Sequence, residues 1–136
     1  MKAVYPPLSY ALFIAISVVA LSMILISMNL FTSNVQRNYA RSQLDYVAEL
    51  MRDDILELYS TNSNGTYQMP IPRDIAGKQY FIELQDKKVK LSLSIGDKTI
   101  ETERLVNVSA SLSGKSYAPV SVEMERIGGN TFIRLV

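Results

Sequence analysis

Close pairs of carboxylates are the residues of this chain best suited to chemistry: Asp53/Asp54, Glu101/Glu103 and Glu123/Glu125. Two carboxyls in different environments beside a cleft can divide acid and base roles, and clustered oxygens can hold a cation. The spacing argues against both. Glu101/Glu103 and Glu123/Glu125 are i, i+2 pairs on segments that read as strands, so each pair points to one face. Glu123 and Glu125 alternate out of phase with Val122 and Met124, which predicts a solvent face. The chain of 136 residues has no Cys and no His. That removes disulfides, thiolate nucleophiles, Cys/His zinc sites and Ser-His or Cys-His catalysis. Gly128-Gly129 has no helix after it and reads as a turn, not a phosphate loop. Tyr39 and Tyr46, spaced i, i+7, suit packing or subunit contact better than chemistry. No catalytic residue, cofactor or metal ligand is expected, and no enzymatic activity.

The remaining motifs concern surfaces. Two Asn-X-Ser/Thr triplets, Asn64-Gly65-Thr66 and Asn107-Val108-Ser109, are candidate glycan acceptors if their domain lies outside the cell. Asn64 sits in a polar loop, and Asn107 is out of phase with Val106 and Val108. Lys87, Lys88 and Lys90 form the basic cluster of the C-terminal part, without interleaved aromatics. A solvated strand face with edge protection explains it better than a nucleic-acid or lipid patch. The net charge of +1 likewise provides no field that would select nucleic acid.

The elements that carry these residues are two different materials. No charged residue occurs between Lys2 and Arg37, and Leu8 to Phe31 is an almost unbroken apolar run. At about 1.5 Å per residue this run reaches about 36 Å, enough to cross a hydrocarbon core of about 30 Å. Leu8, Phe13, Ile16, Val19, Leu21, Ile24, Leu25, Leu30 and Phe31 are its large members. It is too long for the apolar core of a cleaved secretory signal, and the chain lacks a partner domain large enough to bury it all round. A transmembrane or filament-core helix over residues 8–32 is expected. Its serines are tolerated because a hydroxyl can bond back to the i−4 carbonyl.

No Pro or Gly interrupts the chain from Leu8 to Ser63. Past Phe31 the helix is expected to continue over residues 33–60 as an amphipathic extension. Ala40, Leu44, Val47, Met51, Ile55 and Leu58 make one apolar stripe at spacings of three and four. Arg41–Asp45 and Glu49–Arg52 are spaced as helical ion pairs. Ser60-Thr61-Asn62-Ser63-Asn64-Gly65 is the stop signal.

From residue 61 to 136 the period falls to two, the mark of a small β domain. Tyr80, Ile82 and Leu84, then Val89, Leu91, Leu93 and Ile95, then Val106, Val108, Ala110 and Leu112 followed by a break at Ser113-Gly114, then Val120, Val122 and Met124 alternate with polar residues. Asp86-Lys87, Gly96-Asp97 and Gly128-Gly129-Asn130 are the turns. Short turns imply an antiparallel sheet or small sandwich. One face of so small a domain needs a cover, and the stripe from Ala40 to Leu58 is expected to provide it. The fold class is therefore α+β, a long N-terminal helix packed on a small antiparallel β-sheet or sandwich.

This architecture resembles that of a type IV pilin. Lys2-Ala3-Val4-Tyr5-Pro6-Pro7-Leu8 is similar to the class III signal region of archaeal pilins, which implies cleavage between Ala3 and Val4. Pro70 to Tyr80, ending Ile75-Ala76-Gly77-Lys78-Gln79-Tyr80, is similar to the Pro, then Ile-Gly-Gly-X-Tyr entry to the first long strand of many archaeal pilin-like proteins. The Glu found five residues into bacterial pilin helices is absent. The resemblance implies a structural subunit, major or minor, of an archaeal type IV pilus-like filament. Its precursor would sit in the cell membrane with the β domain extracytoplasmic. The helix would then pack with copies of itself or other pilin-like subunits in the core of a surface filament. The alternative is a membrane-anchored β module that never polymerises and binds cell-envelope or surface-layer partners, as archaellum accessory proteins do.

Overall fold

The structure, a computed structural model, describes residues 6–136. The candidate cleavage pair Ala3 and Val4 lies outside the described residues. Helix α1 spans Pro6–Thr61, 56 residues. Seven strands follow: β1 Gly65–Gln68, β2 Phe81–Gln85, β3 Lys88–Ile95, β4 Lys98–Leu105, β5 Ala110–Tyr117, β6 Ser121–Ile127 and β7 Asn130–Leu135. The chain divides into two compact units, one ending at Gln36 and the other running Arg37–Val136.

Local chemistry explains the boundaries of α1. Pro6 and Pro7 occupy its first turn, where a missing N–H costs little. At the other end the Ser60 hydroxyl donates to the Glu57 carbonyl and the Thr61 hydroxyl to the Leu58 carbonyl, at 2.7 and 2.9 Å. These side-chain bonds to i−3 carbonyls tighten the last turn of the helix. Asn62 then turns left-handed at φ 64°, which stops the helix. Within the apolar half, Ser22 donates to the Val18 carbonyl at 2.8 Å, the back-bond that lets a hydroxyl sit in such a helix.

The strands form one sheet in the order β1-β6-β7-β5-β2-β3-β4. The expected antiparallel arrangement holds for every pairing except β5 with β7, which is parallel, so the sheet is mixed. Two of the turns follow from backbone sign. Asp86 and Lys87 between β2 and β3 both have positive φ, as do Gly128 and Gly129 between β6 and β7. Such residues suit the two-residue hairpins whose twist matches that of the flanking strands.

One expectation for the strands needs correction. Val106, Val108, Ala110 and Leu112 are all buried, but they do not form one strand. Val106 and Val108 belong to a loop, in which Val106 N–H donates to the Lys87 carbonyl and Val108 N–H to the Val106 carbonyl. The true third long strand is β4, Lys98–Leu105. Its core-facing phase carries Ile100, Thr102 and Arg104 rather than a run of aliphatics, so its period is faint in the sequence.

Inside the second unit the distal part of α1 covers one sheet face. Ala40, Leu44, Val47, Met51 and Ile55 are completely buried, together with Ala48, which the stripe did not include. Leu58 is half-buried at the margin of the same core. The opposite wall is Ile82, Leu84, Val89, Leu91, Leu93, Leu112, Val122, Met124 and Ile133. The helix meets β4 through Asp45 and β6 through Tyr59. Those residues are about 21 Å apart along the axis, and β4 and β6 lie five strand spacings apart, about 24 Å. The helix therefore runs across the strands rather than along them.

Candidate functional site

The chain presents surfaces rather than a pocket lined with reactive groups. The first surface is the apolar half of α1. Leu8, Phe13, Ile16, Val19, Leu21, Ile24, Leu25, Leu30 and Phe31 are each between 54% and 71% exposed. This segment is long and apolar enough to cross a membrane, and none of its most apolar window is buried. By length and composition it is a membrane-spanning candidate. Hydrophobic area on this scale is far above the few hundred Å² that a monomer exposes in water.

The second surface is the sheet face turned away from the helix. It is laced by cross-strand ion pairs: Lys88–Glu103 at 3.4 Å, Lys90–Glu101 at 3.3 Å and Lys115–Glu83 at 2.7 Å. Arg134 donates to Glu123 on the same face. Phe81 and Tyr117 meet edge to face at 5.2 Å between ring centroids. The lysine cluster is thus half of a charge ladder. Its expected role in edge protection is displaced by one strand, because β3 is covered by β4. Glu101 and Glu103 each pair through one oxygen with Lys90 and Lys88. Among the described residues no group of three or more acids is placed to hold a metal ion.

Two polar contacts on the helix-facing side were not foreseen. Asp45, expected to pair with Arg41, instead accepts from the Thr102 hydroxyl and lies 3.6 Å from Arg104. Arg126 stacks over the Tyr59 ring at 5.8 Å and donates to the Thr131 hydroxyl at 3.0 Å. The signal was present: Thr102 and Arg104 share the phase of Ile100, and so point at the helix. The Glu49–Arg52 pair forms as expected at 3.7 Å.

A cleft of about 300 Å³ lies between the end of α1 and β1, lined by Asp54, Glu57, Leu58, Tyr67, Met69 and Pro70 among others. The Oδ2 atom of Asp54 is buried without a hydrogen-bond partner. Burial pushes its carboxyl above the usual range, and the charges of Glu57 and Asp53 add to the effect. Tyr80, completely buried, donates to the Pro72 carbonyl at 2.6 Å. Its phenol is raised well above the usual value, by burial first and by the charge of Asp74 second. Both candidate glycan acceptors, Asn64 and Asn107, are exposed.

These features define an α+β protein with one uncovered apolar helix segment and a helix-covered mixed sheet. The chain belongs to DUF7266, a family of unknown function, whose model matches residues 1–136. No curated protein and no solved structure matches it.

Proposed function

We propose that this chain is a structural subunit, major or minor, of an archaeal type IV pilus-like surface filament. The observation that carries the reading is the division of α1 into two materials. The stripe Ala40, Leu44, Val47, Ala48, Met51 and Ile55 is completely buried under the sheet, while the apolar window before it has nothing buried. A helix of that kind needs lipid or copies of itself around its apolar half. Before assembly the cell membrane takes that role, with the sheet unit outside. In the filament, neighbouring helices replace lipid. Lipid tails are as apolar as leucine, so the gain comes from close packing. Ala11, Ala15, Ser17, Ala20, Ser22 and Ser27 supply the small surfaces that packing needs. Such contacts between non-equivalent surfaces do not close on themselves and so propagate a helical polymer. The Ile75–Tyr80 turn adds support. Ala76 and Gly77 both have positive φ, the conformation a Gly-Gly pair would serve.

Electron microscopy of fibres sheared from the native cells tests the proposal. Fibres containing this chain as a repeating subunit are the expected result. Recovery only as a monomer or closed dimer in membranes overturns it.

A second reading, a membrane-anchored module that binds envelope material without polymerising, draws on the free edge of β4. That edge is eight residues long and, among the described residues, has no strand beyond it. Strand addition at such an edge is a common mode of recognition. Binding of surface-layer material by residues 37–136, with no fibres on the cells, is its expected signature.

A further inference from the structure

We propose that Asn64 is an N-linked glycosylation site and that Asn107, which carries the same triplet, is not. The proposal rests on the reading that places the sheet unit outside the cell.

The sequence already favours Asn64, which sits in a polar loop, and the folded surroundings widen the difference. Asn64 lies between the left-handed end of α1 at Asn62 and the first residue of β1. Its Oδ1 accepts the Arg126 N–H at 3.2 Å, which fixes the amide and leaves Nδ2 without a protein partner among the described residues. The middle residue of the triplet, Gly65, has no side chain to withdraw from the core. Thr66 is exposed on β1, an edge strand.

Asn107 is exposed as well, but the valines on either side are pinned. Val106 is 1% exposed and Val108 3%. Val106 N–H donates to Lys87 and Val108 N–H to Val106. A transferase must lift the triplet into its own cleft. At Asn107 that means pulling Val108, the middle residue, out of the core and breaking those hydrogen bonds. At Asn64 it means freeing Gly65 and Thr66 from their pairing with β6 at the sheet edge, with no core side chain to withdraw.

The reaction requires a phosphate-activated oligosaccharide as co-substrate and a separate transferase. The Asn64 Nδ2 attacks the anomeric carbon and a C–N bond forms. The anomeric C–O bond breaks with its electron pair leaving on the phosphate, and the one proton lost by Nδ2 passes to a base of the transferase. The Oδ1 acceptor is untouched, so the hydrogen bond from Arg126 survives modification. The glycan would stand beside β1, whose four residues Gly65, Thr66, Tyr67 and Gln68 carry no charge to protect a free edge.

Glycopeptide mass spectrometry of the full chain from its native cells tests this. The peptide containing Asn64 is expected to carry hexose-type mass. Asn64→Gln and Thr66→Ala are expected to abolish it, and Thr66→Ser to retain it. An unmodified Asn64, a glycan on Asn107, or a mass on Asn64 that survives Thr66→Ala overturns the assignment. Sidedness is read separately with Ser113→Cys, the single thiol of the variant, on an exposed strand position. Labelling by a membrane-impermeant maleimide on intact cells with Asn64 bare overturns the glycan and leaves the outside placement standing. A thiol that labels only after lysis overturns both.

Discussion

Asp45 shows how a residue's partner is chosen by geometry rather than by spacing. Arg41 is four residues away on the same helix, but an exposed helical pair contributes only a few tenths of a kcal/mol. Thr102 and Arg104 offer a half-buried site in which a hydroxyl and a guanidinium converge on one carboxylate. Asp45→Ala removes the acceptor of the Thr102 hydroxyl, which keeps only the bond it accepts from Arg104, and is expected to cost about 1 kcal/mol of unfolding free energy in denaturant titration. Ala76 is a different residue-scale case. A side chain at φ 52° costs roughly 1–2 kcal/mol relative to ordinary backbone, while glycine there is unstrained but gives back part of the gain as unfolded-state entropy. Ala76→Gly is expected to raise the thermal midpoint by the equivalent of up to about 1 kcal/mol. Asp54 carries a pH dependence. Its folded carboxyl binds a proton more tightly than the unfolded one, because burial and two neighbouring acids penalise the charge. The fold is therefore favoured below the unfolded value and weakened as pH rises through the folded value. Asp54→Asn is expected to raise the thermal midpoint at neutral pH, leave it unchanged in strong acid, and so flatten the profile between.

At the scale of elements, α1 divides into a part whose side chains stabilise the sheet unit and a part whose side chains do not. Leu44→Ala opens a cavity beneath the sheet and is expected to cost about 2–5 kcal/mol. Leu21→Ala, on the exposed half, is expected to leave the unfolding of residues 37–136 unchanged in the same detergent-solubilised protein. Gly114 shows how tightly β5 and β7 approach. A Cβ on it would lie 2.8 Å from both the backbone N and the Cβ of Leu135, with φ at 122°. Gly114→Ala therefore forces the two strands apart and is expected to cost about 2–3 kcal/mol in the same titration.

For the whole molecule, solubility and stability belong to different residues. The apolar exposure is concentrated before Gln36, and the core after Arg37. Removing residues 1–36 is expected to give a monomer that stays in solution without detergent, read by light scattering on a sizing column, with the unfolding cooperativity of the full chain's sheet unit. Detergent-free aggregation of that fragment would mean that the sheet unit itself exposes a sticky surface. Phe132 and Ile127 on the outer face would then be the first suspects.

Most of the fold was legible in the sequence because burial imposes a period. The apolar run, the stripe from Ala40 to Ile55, the α+β class and the hairpin turns follow from residue type and spacing alone, since each depends on neighbours a few positions away. The glycan candidates were equally visible as triplets. What only the tertiary structure decided are the long-range choices: β7 inserted between β6 and β5 to make one parallel pair, β4 as the edge, Asp45 turned to β4 rather than to Arg41, and the pinning of Asn107 between two buried valines. Each depends on which distant segments meet, and a local period carries no information about that.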